Sequence, residues 1–511
     1  MRRFLLGELP VEQIAAAFDA RMGRPTKELY TMLGTLVLQQ MLDLSDVQVT
    51  QALAFDQRWH YALDIVGEGD ADKYVCERTL RQYRRIAIEQ KIDTVLFESL
   101  TDALLKAFGV NVGKQRLDST HLVSNMRELR RTELFAEVIE KFLHQLARQS
   151  EEHRSQIPCA LRERYVKEGP GGCFSKVKPS EAKRTLQQMA EDILWLVERF
   201  KSDKGVNALR SYQLLCRVLE EQCEVVEGKD EAKQVQVKAP KEVSANSLQN
   251  PSDPDATYDA HKGQGYQAQI METYQVVENG KEKTVPDLIT YVEVEPASAS
   301  DAYAVEPAIE TTRRRDCAPK ELLADGSYGS DDNVQQAQVE QVELIAPANK
   351  GVRADGERLG LESFEFDEPS GAVSRCPAGQ EPIRTGRTPR GECTAYFDRE
   401  KCWGCELRER CPVKVKAKVA CLTPYSDKKR RLAKRRARET TDEFRDKYRW
   451  RAGEEATMAR YKSQTGVGRL RVRGMSAVRF AAKLKALGLN IFRSARALVT
   501  IAQQQSVGIA V

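Results

Sequence analysis

No stretch of eighteen consecutive apolar residues occurs in the 511-residue chain, so no membrane-spanning helix is expected. A secretory leader is not expected either. The opening MRRFLLGELPVEQ starts basic and apolar, but Glu8 and Pro10 interrupt it before a signal-length apolar core develops. Excess charge of one sign is small: the net charge is +5, which by itself says little about a nucleic-acid partner. No internal repeat is visible, which argues against a solenoid or propeller. What remains is a soluble, cytoplasmic chain, 41% hydrophobic and 30% charged, long enough for two to four domains at roughly 100–200 residues each. In that compartment its twelve cysteines are not expected to form disulfides.

The charge is uneven along the chain. Residues 428–438 (KKRRLAKRRAR) are almost wholly basic, and 460–473 (RYKSQTGVGRLRVR) adds Arg460, Lys462, Arg469, Arg471 and Arg473 with no acid. One such run usually marks a solvated face. Two runs flanking one acidic helix favour phosphate neutralisation and a DNA partner.

Helical periodicity dominates residues 1–109, from KELYTMLGTLVLQQMLDL at 27–44, through a polar break at Ser45-Asp46, to the basic amphipathic ERTLRQYRRIAIEQKI at 77–92. Short helices with a basic member suit either a helix-turn-helix-like module or an ordinary bundle. A strand-like segment follows at 110–126, then a helical stretch at 127–225 broken at Gly169–Gly172, then a polar segment at 226–256 that reads as a linker or exposed loop. Strand and helix signals alternate through 257–354, with strands at 264–275, 285–295, 321–325 and 343–347 and helices at 301–314 and 331–341. That order predicts an α/β sheet. Residues 355–427 read as β and loop with several cysteines, and 428–511 as helices.

Three acids stand out. Asp118 sits inside the strand-like RLDSTHLV, where a carboxylate is costly to bury unless something binds it. Asp325 closes ELLAD at a strand carboxyl end, where α/β sheets place their ligands. An isolated Asp is more often a cap or a turn residue. The third acid carries a pattern: YRWRAGEEATMARYK places Tyr448, Arg451, Glu455 and Lys462 at fixed spacing, with Glu454 as a rival acid. On one helix Arg451, Glu455 and Lys462 share a face. Four fixed positions coincide by chance about once in 10⁵ starting points. Carboxylates in this number suit two divalent ions acting on a phosphodiester, provided that all three converge within a few ångströms.

These motifs resemble the DDE transposases of bacterial insertion sequences, in the group with the Y-R-E-K signature. LDLSDVQVTQALAFDQRWHYALD and ERTLRQYRR resemble their N-terminal DNA-binding region. RLDSTHLVSN, DPDATYDAHKGQGYQAQI, ASASDAYAVEPAI and LLADGSYGSDDN resemble successive core segments, and EATMARYKSQTGVGRLRVRGMSAV resembles the Glu helix with its basic extension. The resemblance implies an α/β, ribonuclease H-like catalytic core with a helical N-terminal DNA-binding region, a helical insertion and a Cys-containing β/loop insertion. It implies Asp118, Asp325 and Glu455 as catalytic ligands of Mg²⁺ or Mn²⁺. Arg451, Lys462, Tyr448, Arg469, Arg471 and Arg473 become DNA contacts. The expected partners are terminal inverted repeats, target DNA and further copies of the chain. The rival readings are an inactive transposase-derived DNA-binding protein, a ribonuclease H-like nuclease and a helical scaffold.

Cys376, Cys402, Cys405 and Cys411 fall in CPAG and CWGCELRERC, with Cys393 and Cys421 as alternatives. Four thiolates at such spacing can hold a structural Zn²⁺; unliganded thiols in a small β insertion are the other reading.

Overall fold

The computed structural model describes residues 4–16, 28–166, 177–227, 233–276, 284–348, 358–368 and 370–508. The break expected at Gly169–Gly172 lies outside them.

In the N-terminal region, helix α1 (Leu29–Met41) buries every residue from Thr31 to Gln39. Ser45 caps the next helix, Asp46–Phe55, in a reciprocal capping box with Gln48, which explains the polar break in the pattern. Helix α2 (Glu77–Glu89) buries Leu80, Tyr83, Ile86 and Ala87. Its Arg84 reaches back to Asp46 and Gln39. Helix α3 (Ile92–Ala107) leads into the sheet.

The central sheet combines β1 (Lys114–Val123), β2 (Thr257–Asp259), β3 (Gly263–Thr273), β4 (Ile289–Pro296), β5 (Glu321–Ala324) and β6 (Glu343–Ile345). β1 pairs antiparallel with β3, which pairs antiparallel with β2 and β4. On its other edge β1 pairs parallel with β5, and β5 pairs parallel with β6. β1 is therefore central and covered on both faces, which is why its apolar residues do not alternate cleanly with polar ones. Leu122, Ala268 and Ile270 face a core shared with α1, α2, α3 and the C-terminal helix. Leu117, Met271, Leu322 and Ala324 face the opposite core, against helices Val305–Arg314 and Asp331–Val339.

Between β1 and β2 stand α4 (Arg131–Gln149), α5 (Ala182–Phe200), α6 (Arg210–Gln222) and a hairpin of Cys223–Glu227 with Lys233–Val237. Phe135, Phe142, Ile193, Phe200 and Leu215 give this insertion its own core. The linker expected at 226–256 is corrected here. Its described part includes a strand of that hairpin, and Ser247, Leu248, Asn250 and Asp253 are buried. Polar composition misled because these groups are satisfied internally: Asp253 accepts from Ser124 Oγ at 2.6 Å and from the Gly474 amide at 2.9 Å.

The Cys-containing segment forms a small four-stranded sheet, Arg384–Arg387, Cys393–Phe397, Val413–Val415 and Ala420–Leu422. After it come α7 (Asp427–Glu439), α8 (Asp442–Tyr448), a 3-10 turn at Arg449–Ala452, α9 (Gly453–Thr465) and α10 (Met475–Gly508). α10 crosses α1 so closely that a Cβ on Gly488 would lie 2.8 Å from Met41 Cα.

That contact is backbone and cannot swing aside. Gly488→Val is expected to destabilise the chain by about 1–3 kcal/mol through overpacking, read as a lower denaturation midpoint. An unchanged midpoint would show that the α1–α10 crossing is looser than described.

Candidate active site

Leu117 and Ala324 are the last residues paired between β1 and β5, so Asp118 within β1 and Asp325 just past the end of β5 follow side by side. Asp118 Oδ1 accepts the Ser119 amide at 2.8 Å, and Oδ2 takes Arg451 Nη2 at 3.1 Å. Burial raises the Asp118 pKa above the ordinary carboxylate range; the Ser119 amide and Arg451 oppose this, and the negative charges of Asp325 and Asp301 add to it. Asp325 is half-buried, and its Oδ1 accepts the Ser327 amide at 2.7 Å.

Asp301 is an acid of this neighbourhood that sequence reasoning passed over. It is held by Gln269 Nε2 at 2.8 Å, and Gln269 in turn accepts from the buried Tyr328 hydroxyl at 2.6 Å. Its only sequence signal was its place at the head of a helix in ASASDAYAVEPAI, which reads equally well as a cap.

The adjacent glutamates separate cleanly. Glu454 is fully buried, 3.0 Å from Arg116 Nε. Glu455 is 75% exposed and lies 3.9 Å from Arg451 Nη1. Arg451 thus stands between Asp118 and Glu455. The four patterned residues do not share one continuous helix: Tyr448 ends α8, Arg451 lies in the 3-10 turn, and Glu455 and Lys462 are on α9. Tyr448 is half-buried and stacks on Phe444 with ring centroids 5.4 Å apart. Burial raises its hydroxyl pKa; Arg451 opposes this, and Asp325 and Asp118 add to it.

The expected close convergence of three carboxylates needs correction. Among the described residues, no three His, Cys, Asp or Glu side chains are gathered tightly enough to hold one metal ion. The physical reason is visible at Asp118, whose free oxygen is taken by Arg451, while Glu455 points to solvent.

The cysteine cluster falls under the same statement, although Cys376, Cys402, Cys405 and Cys411 line one pocket. There burial and the neighbouring Cys376, Cys411 and Cys405 push the Cys402 thiol up to about 11. Cys393 is buried in the small sheet, where Tyr396 of the same strand pairs with Cys421.

The basic run on α7 is largely engaged within the chain. Arg431 pairs with Asp331 at 2.7 Å, Lys428 with Asp332 at 3.0 Å and Arg438 with Glu343 at 2.6 Å, while Arg435 donates to the Gly329 and Ala346 carbonyls. Its first task is to dock α7 on the sheet. The second run differs. Lys462, Arg469, Arg471 and Arg473 are exposed, and the Gly468 carbonyl accepts the Val123 amide at 3.0 Å, placing this segment beside the end of β1. Arg471 is partly engaged, 3.3 Å from Asp43 Oδ2.

Two family models match the chain. A transposase DDE domain covers residues 375–495, and a transposase domain of the DUF772 family covers residues 4–85. Together they indicate an insertion-sequence DDE transposase. No curated protein and no solved structure matches it. The DDE-domain match spans the Cys-containing sheet, α7, the Glu454-Glu455 pair and much of α10, while Asp118 and Asp325 lie outside both matches. No described helix of this chain is long and apolar enough to cross a membrane.

The crowding of acids around Asp118 has a stability consequence. A carboxyl whose pKa is raised on folding binds its proton more tightly in the folded state, so stability falls as pH rises toward and through that pKa. In metal-free buffer at pH 7, Asp118→Asn is therefore expected to melt above the parent transposase, with the gap closing as the pH is lowered. A variant that melts lower at pH 7 would mean that the Arg451 pairing outweighs the burial.

Proposed function

We propose that this transposase cuts element-end DNA and joins it to target DNA by metal-dependent attack on phosphodiester bonds, in a ribonuclease H-like core. The observation that carries this reading is the placement of Asp118 and Asp325 side by side, within β1 and just past the end of its parallel neighbour β5, with Arg451 reaching from Asp118 toward Glu455. The sheet is compatible with that core: an antiparallel run of β1, β3 and β4 beside parallel β5 and β6. The Y-R-E-K spacing supports Glu455 as the third ligand.

The chemistry of the donors fits a hard divalent cation. Asp118 and Asp325 each give one oxygen to a backbone amide, the second oxygen of Asp118 is held by Arg451, and the repulsion between the two acids is what a bound cation would relieve. Bound Mg²⁺ or Mn²⁺ would activate the attacking hydroxyl and offset charge on the phosphate. Glu455 completes the set by turning in from solvent. Arg451, released from Asp118, can hold a phosphate through two parallel hydrogen bonds. Lys462, Arg469, Arg471 and Arg473 would carry the flanking backbone, and Tyr448 packs beneath the same strand. Copies of the chain assembled on paired element ends would bring two such sites to one target.

Asp118→Asn, Asp325→Asn and Glu455→Gln are each expected to lower Mg²⁺-dependent cleavage of the DNA flanking this reading frame by roughly 10²-fold or more, with DNA affinity retained. Survival of cleavage in any one would remove that residue from the assignment. Strand-transfer products support the transposase reading, and hydrolysis alone supports the nuclease.

We also propose Cys376, Cys402, Cys405 and Cys411 as ligands of a structural Zn²⁺, since crowded thiols that raise one another's pKa are relieved by a bound cation. Purified protein is expected to contain zinc by atomic absorption, and Cys402→Ser to lose it. Zinc-free protein from zinc-replete cells would dismiss this site.

A further inference from the structure

Side chains alternate along a strand, so Arg116 lies on the same face of β1 as Asp118. The Arg116 guanidinium is buried; its Nε donates to Glu272 Oε1 on β3 at 2.8 Å, and Glu454 Oε2 on α9 lies 3.0 Å from the same nitrogen as an ion pair that is not a hydrogen bond. Its Nη1 also donates to the Trp450 carbonyl at 2.8 Å. One side chain on β1 therefore grips the turn that carries Arg451 on both sides, at Trp450 and at Glu454. The approach is close enough that a Cβ on Gly453 would stand 2.1 Å from Arg116 Nη1.

A second arginine closes the arrangement from α10. Arg493 Nη1 pairs with Glu272 Oε2 at 2.7 Å, and the Thr457 hydroxyl on α9 lies 2.8 and 2.9 Å from the two Glu272 oxygens. Two arginines thus meet at buried Glu272, and one of them also stands beside buried Glu454, while Arg116, Thr457 and Arg493 line a neighbouring pocket. Burial, with Glu272 beside it, raises the Glu454 pKa well above the usual range, while Arg116 works against this.

Helix geometry turns this anchor into a constraint on its neighbour. Successive residues of an α-helix point about 100° apart. Pinning Glu454 inward onto Arg116 fixes the rotation of α9, and Glu455 must then face the Arg451 side. We propose that Arg116 and Glu454 are positioning residues that hold the first turn of α9 so that Glu455 and Arg451 stand over Asp118. This rests on the metal-site reading above, and it assigns the two adjacent glutamates opposite tasks: one locks the helix, the other meets the metal.

The test compares Mn²⁺ binding by titration calorimetry on the full chain with cleavage of the flanking-end DNA. Glu454→Ala is expected to weaken Mn²⁺ roughly 10-fold or more, the scale of losing a residue that orients a metal ligand, while DNA affinity stays within about two-fold of the parent. Glu454→Gln keeps the shape of the anchor and is expected to restore most Mn²⁺ affinity and cleavage; Glu455→Gln restores neither. Thr457→Val, which loosens the Glu272 contact without stranding a charge, is expected to weaken Mn²⁺ by a smaller factor and decides the matter if Glu454→Ala does not fold. Unchanged Mn²⁺ affinity in folded Glu454→Ala or in Thr457→Val overturns the proposal. So does a Glu454→Gln variant as damaged as Glu455→Gln, which would make Glu454 a ligand. A parent chain that binds no Mn²⁺ overturns the metal-site reading itself, and is distinguished by that arm alone.

Discussion

Buried charge organises the centre of this molecule. Glu272 and Glu454 lie wholly inside, and such groups are tolerated only when opposite charges and hydrogen bonds surround them. Arg116 from β1 and Arg493 from α10 supply the opposite charge, Glu272 accepting hydrogen bonds as well and Glu454 meeting only the Arg116 charge, so a strand, its neighbour and two C-terminal helices are bound at one point. Breaking a buried pair by removing one partner costs about 3–5 kcal/mol, whereas well-packed apolar residues would often do as well or better for stability alone. An ionic knot two residues from Asp118 fits a demand for one defined geometry more than a demand for stability.

The same economy of charge runs through the rest of the site. α7 is docked by salt bridges to Asp331, Asp332 and Glu343, so a run that reads as a nucleic-acid patch is largely internal cement. The Lys428–Asp332 and Arg438–Glu343 pairs are exposed and contribute little individually, whereas the Asp331 carboxylate under Arg431 is buried. Their value is geometric, since they hold α7 against the helix Asp331–Val339 and the start of β6, just ahead of α8 and the Arg451 turn. The cations that remain exposed, at 462 and 469–473, lie beside the Val123 end of β1.

Much of the architecture was legible from residue pattern. The strand RLDSTHLV, the ELLAD strand and the helix over 301–314 appear where periodicity placed them, because each is dominated by local apolar spacing. Of the two adjacent glutamates, the one that the spacing favours, Glu455, is exposed and Glu454 is buried. Less legible were features decided by distant partners. Asp301 went unnoticed, the segment around Leu248 and Asp253 read as a linker or exposed loop, and the basic run read as a phosphate-binding or solvated face, because the groups that satisfy them lie far away in sequence. Nothing in one sequence reports that Arg116 will meet Glu454.

The central claim is that Asp118, Asp325 and Glu455 share divalent cations although Arg451 stands between two of them in the free chain. Anomalous diffraction from crystals of the DNA-bound protein grown with Mn²⁺ would test this most directly. The account predicts manganese between Asp118 and Asp325, Glu455 turned in to meet it and Arg451 moved onto phosphate. Manganese held by Asp301 or Glu454 in place of Glu455, or none at Asp118, would contradict it.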